Sequence, residues 1–151
     1  MLSYEDVRSF LSDGLAALGY ANANPAGTGG PRSMPRIDVG PFAIERLTKL
    51  TPGSLVFATV GNGAGLTLEQ TYDQVFITIR AIGPQNDYDA AERLAYDIDR
   101  LFLAVNSNGM VGGTRVLFVN RTGGAPQLVD LDTSDRYHFQ TTYITPATTG
   151  L

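Results

Sequence analysis

Apolar positions recur at spacings of three and four in two stretches of this chain, and alternate with polar ones in others. Together these stretches predict its architecture. Tyr4, Val7, Phe10, Leu11, Leu15 and Leu18 trace one stripe, which predicts an amphipathic first helix. Ser3 is placed to cap it, Asp6 sits in its first turn, and Gly19 ends it. A second stripe, Ala91, Leu94, Ala95, Ile98, Leu101 and Phe102, predicts a helix over 87–102. Asp89, Glu92, Arg93, Asp97 and Arg100 are assigned to its solvent face, with Arg93 and Asp97 spaced for a weak ion pair.

The alternating stretches predict strands. Ser54 to Val60 is apolar and rich in β-formers. In 73–82, Val75, Ile77, Ile79 and Ala81 share one face, and Phe76, Thr78, Arg80 and Ile82 the other. Two further strands are expected over Arg115–Asn120 and Tyr137–Thr145, with Gln127–Leu131 as a short edge strand. Phe42 to Leu50 is compatible with a short helix that the Pro52-Gly53 turn cuts off. Ala21 to Pro41 is full of Gly, Pro and Asn and predicts a long loop, surface-exposed or ordered only on a neighbour. The expected fold is α+β. A mainly antiparallel four-stranded sheet carries two amphipathic helices on one face, with a flexible loop at about 21–41.

The length of 151 residues fits a single domain spanning 1–151. A domain near that size buries roughly 68–70% of its unfolded surface, enough to fold without staples. There is no cysteine, which removes disulfides, thiolate catalysis and Cys-based zinc sites. Fifteen acidic against eleven basic residues make a mildly acidic chain, ill suited to nonspecific nucleic-acid binding. No leader pattern follows Met1 and no apolar run approaches the ~20 residues of a membrane span. A soluble protein made in the cytoplasm, with no membrane partner, is the expectation.

Candidate chemistry is sparse. Gly61-Asn62-Gly63-Ala64-Gly65 begins like a dinucleotide fingerprint, but Leu66 stands where the third glycine belongs, so we read a plain turn. His138 is the lone histidine, without the spacing of a metal site. Asp130, Asp132 and Asp135 could in principle serve acid–base or cation chemistry, but among Thr133 and Ser134 they better fit a turn capped by Asp side chains. No G-x-S-x-G elbow occurs. We therefore expect no catalytic residue, no cofactor and no metal, and a protein that is not an enzyme. In the last strand, Tyr137, Phe139 and Tyr143 fit a core face. The opposite face, His138, Gln140, Thr142 and Ile144, carries no Lys or Glu to discourage pairing, and so makes a candidate subunit interface.

Several segments carry a family resemblance. Val56 to Leu66, Val75 to Gln85 and Asp87 to Glu92 resemble tail terminator proteins of siphophages, especially those infecting actinobacteria. Pro126 to Asp130 and Asp135 to Tyr143 are similar to the close of phage head–tail joining and minor capsid-like proteins. The resemblance covers about two-thirds of the chain and rests on strand and turn patterns. It implies a virion protein at the head–tail junction, assembled in the host cytoplasm. Such a protein forms a homo-oligomeric ring, usually a hexamer, on the tail tube protein. The ring stops tube growth and offers a docking surface to the head completion or stopper protein. DNA would pass through its lumen without specific binding, as suits an acidic chain. On that reading the Gly-rich stretches Asn22–Arg32 and Asn106–Gly113 become contact candidates. With the last strand they give the set Asn24, Arg32, Asn108, Met110, His138, Gln140 and Thr142. The alternatives are another neck protein, stopper or connector, and a small non-viral binding module.

Overall fold

Ser3 and Asp6 start the first helix by capping each other. The Asp6 N–H donates to the Ser3 hydroxyl at 3.1 Å, and the Ser3 N–H donates to the Asp6 carboxylate at 3.0 Å. From there α1 (Tyr4–Ala17) buries Val7, Leu11 and Leu15. It ends where Gly19 turns left-handed, with φ of 97°. The chain is described by a computed structural model over residues 2–21, 33–40, 53–62, 72–105 and 109–148. The expected helix at 42–50, most of the 21–41 loop and residues 63–65 of the glycine turn lie outside the described residues.

The second helix, α2 (Tyr88–Leu103), is capped by Asp87, whose carboxylate accepts the Ala90 N–H at 3.0 Å. Its inner stripe is buried as the periodicity predicts, Ala91, Leu94, Ala95, Ile98 and Phe102. Two polar residues are buried with it. Asp97 and Asp99 are each only 4% exposed, so the assignment of Asp97 to the solvent face is corrected. The Tyr20 hydroxyl donates to Asp97 at 2.7 Å, which supplies the partner that burial of a carboxylate requires. Arg100 also approaches the Asp97 carboxylate, at 3.9 Å.

The sheet differs from the expected four antiparallel strands. Its described strands are β1 (Arg36–Val39), β2 (Leu55–Asn62), β3 (Tyr72–Ile82), β4 (Gly109–Val111), β5 (Thr114–Val116), β6 (Asn120–Arg121), β7 (Gln127–Leu131) and β8 (Tyr137–Thr148). The main path runs β1-β2-β3-β8-β5-β4, and β6 and β7 pair only with β8. The sheet is mixed, because β1 runs parallel to β2 while every other pair is antiparallel. β1 was expected to be loop. Four residues between Pro35 and Gly40 carry too little local pattern, and their strand state comes from pairing with β2. The single strand expected at Arg115–Asn120 is two. Between them the Leu117 N–H donates to the carbonyl of Pro146 at 2.9 Å, and Pro146 has no N–H to return. β4 falls within the loop expected at Asn106–Gly113, where Gly109–Val111 pairs with β5.

Both helices lie on one sheet face, over Val56, Ala58, Val75, Ile77, Ile79, Ala81, Phe139 and Tyr143. α1 and α2 approach closely at Gly14, where a Cβ would come within 2.7 Å of Leu101. The Phe10 ring is tilted against Phe102 with centroids 4.8 Å apart, and Phe102 stacks on Tyr143 at 4.6 Å. Leu55, Phe57 and Ile82 form a smaller apolar cluster on the other face.

Candidate interaction surfaces

β8 organises the surface chemistry of this chain. One of its edges pairs with β3 from His138 to Thr148. Along the other edge lie β7, β6 and β5 in turn, bonded at Tyr137–Gln140, Tyr143–Ile144 and Ala147. The strand is therefore interior, and its face away from the helices is read in rows across the sheet. One row is Phe57, Arg80 and Gln140; the next is Thr59, Thr78 and Thr142. Arg80 donates to the Gln140 side-chain oxygen from Nε at 3.2 Å and from a terminal nitrogen at 2.6 Å. The Thr78 and Thr142 hydroxyls are hydrogen-bonded at 3.2 Å. Polar side chains on this face thus satisfy one another between neighbouring strands.

The β7–β8 turn is built by Asp132. Its Oδ1 accepts the backbone N–H groups of Ser134 at 2.8 Å and Arg136 at 3.1 Å, and its Oδ2 meets His138 Nε2 at 2.7 Å. This is the capped turn expected from the acidic cluster, with Asp135 left-handed at φ 58°. Burial pushes the Asp132 carboxyl up, but His138 and the two N–H groups outweigh it and hold it below the usual carboxylate range. His138 is 2% exposed, and its Nδ1 is buried with no hydrogen-bond partner among the described residues. The His138 side chain is 3% exposed and that of Asp132 15%, so the pair lies largely within the turn.

A second polar knot joins α2 to the sheet. Arg121 donates to both Asp99 oxygens, at 3.0 Å from Nε and more closely from a terminal nitrogen, and the Tyr143 hydroxyl donates to Oδ1 at 2.8 Å. Burial raises the Asp99 carboxyl, and the Arg121 and Tyr143 hydrogen bonds bring it below its ordinary value. Burial and the same hydrogen bond drive the Tyr143 phenol far up, so it stays a neutral donor. An open groove of ≈ 440 Å³ runs beside this knot between Tyr96, Asp99, Arg100, Leu103 and Ala104.

The sequence-derived contact candidates do not converge on one spot. Gln140 and Thr142 line a shallow cavity of ≈ 210 Å³ together with Thr122, Gln127 and Val129. His138 lies on the same face but is enclosed by its own chain. Met110 is 47% exposed on β4, away from that cavity. Asn24, Arg32 and Asn108 lie outside the described residues. Sequence reasoning passed over the most exposed apolar feature, β7. All five of its residues are exposed, and Leu128, Val129 and Leu131 are large and apolar. The signal was available: an apolar edge strand with no Lys or Pro of its own. Among the described residues no three His, Cys, Asp or Glu side chains are grouped to hold a metal ion, and no helix is long and apolar enough to cross a membrane.

No protein-family profile matches the sequence, and no curated protein is significantly similar to it. Solved structures do share its fold. One is a chain of the virion of a native gene transfer agent particle, 11% identical, with a TM-score of 0.56 over 97% of this chain and 99% of that one. A second solved chain is 16% identical, with a TM-score of 0.53 over 98% of this chain and 97% of that one. At such identities the likeness is one of fold.

Proposed function

We propose that this chain is a structural virion protein acting as a tail terminator. Copies close into a ring, a hexamer, on the last ring of the tail tube. That ring stops elongation and receives the head completion protein. The observation that carries the reading is the end-to-end match of fold with a chain of a virion, 97% of one on 99% of the other. The segmental resemblance to siphophage tail terminators points to the same class. The surface agrees as well: an exposed apolar edge strand fits a protein that is completed by neighbours, and a net charge of −4 suits a lumen that DNA crosses without adhering.

The test is concentration-dependent assembly of the purified full-length chain, followed by native mass spectrometry and negative-stain electron microscopy. Closed rings of one size are expected, with no retardation of duplex DNA at physiological salt. A monomer at every concentration, at which a small ligand raises the melting temperature, would replace this reading with a binding module.

A further inference from the structure

We propose that β7 is the edge through which one copy of this chain receives the next, and that the incoming strand is β1 of the neighbour. The inference rests on the ring reading and gives it a contact. β7 and β1 lie at opposite flanks of the sheet, and among the described residues each has a single strand partner, β8 and β2 respectively. A strand with one free side presents unpaired N–H and C=O groups that a second strand can satisfy. Because the two edges differ and lie at opposite flanks, their pairing is head-to-tail, the kind of contact that generates rings when the rotation closes.

The side chains favour this occupant. Asp130 pairs with His138 and so belongs to the sheet face away from the helices; Arg36 pairs with Leu55 and belongs to that same face. In a continuous antiparallel sheet one register sets the two opposite each other, with Arg36 half-exposed even while it holds Asp38 at 2.8 Å. Leu128 and Leu131 pair with Phe139 and Tyr137 and belong to the helix side, where they extend beyond the cover of their own helices and are about half exposed. α1 packs on β1 from that side, so the neighbour's α1 arrives over these two leucines. The irregular register between Leu128 and Asp130 is what places Leu128 on one face and Asp130 on the other. A second β7 is the poorer partner, since it would bring acidic Asp130 towards its own copy and leave the leucines without a helix.

The absence of cysteine makes the test clean. In the full chain, Arg36→Cys and Asp130→Cys together are expected to give a ladder of covalent multimers on oxidation, up to the ring size, and each single variant none. A quantitative dimer from Asp130→Cys alone would show β7 pairing with β7 and overturn the proposal. Rings that form without a ladder would also overturn it, while leaving the ring reading intact. If neither rings nor a ladder form, both fall. As a second measurement, Leu128→Lys with Leu131→Lys should abolish the multimer without changing the melting of the monomer, because both side chains are exposed. Multimers that survive this pair of charges would contradict the assignment.

Discussion

Tyr143 on β8 donates its hydroxyl to Asp99 on α2 at 2.8 Å, and this bond fixes helix to sheet at the centre of the core. The carboxylate also takes two N–H donors from Arg121 on β6, so three elements meet on one buried group. The Tyr143 ring meanwhile stacks on Phe102 one turn along the same helix.

Removing one partner of this knot should cost more than a surface change. Tyr143→Phe keeps the ring and loses the donor, so a loss of about 1.5 kcal/mol is expected, the low end for hydrogen bonds to charged groups. Asp99→Ala strands both donors and should cost about 3 kcal/mol. Chemical denaturation of both variants checks the order. Equal stabilities would show that Asp99 is not the centre of the knot.

Acid should unfold this protein through three aspartates. Asp6, Asp99 and Asp132 all have folded-state values held below the ordinary 3.8. For Asp6 the rise from burial is outweighed by the Ser3 and Gly113 N–H groups and the Thr114 and Ser3 hydroxyls. A depressed carboxylate stabilises fully above its unfolded value and loses that contribution as pH falls through the folded one. Melting temperature should therefore drop most steeply below about pH 4. Asp99→Asn should flatten that slope, and a slope unchanged by the substitution would remove Asp99 from the set.

Gly112 is irreplaceable for two reasons that act together. It sits at φ 58°, and a Cβ there would lie 2.5 Å from the Asp6 Cα. It belongs to the β4–β5 turn, whose Gly113 N–H and Thr114 hydroxyl donate to Asp6 at 2.9 and 2.7 Å. Gly112→Ala should lose at least the roughly 1–2 kcal/mol of the left-handed penalty. Gly123→Ala, with nothing within 4 Å, should stay within about 0.5 kcal/mol. Thermal melts of the pair are the check, and similar losses would contradict the close approach.

Charge at position 140 should be read by Arg80. Gln140→Glu keeps an acceptor for the guanidinium and should be neutral or slightly stabilising. Gln140→Lys sets a like charge directly across the β3–β8 pair and should cost up to about 1 kcal/mol. If Lys and Glu behave alike in denaturant titrations, the Arg80–Gln140 contact is not formed in solution.

Local pattern carried much of the fold. The helix at 87–102 is legible because period and capping residue agree within one segment. β1 was illegible because four residues between breakers become a strand only beside β2. Asp97 and Asp99 look like surface residues on a helical wheel; their partners Tyr20, Arg121 and Tyr143 are distant in sequence, so their burial has no local signature. The same limit hid His138, whose enclosure depends on Asp132 curling the turn back over it.

The most direct measurement is electron microscopy of lysates from a particle-producing strain with a nonsense mutation in this gene. Over-long tubes beside full, unjoined heads are the expected result. Tails of normal length left detached from heads would move the protein to a stopper or connector position. Ordinary infectious particles would contradict a structural role in the virion.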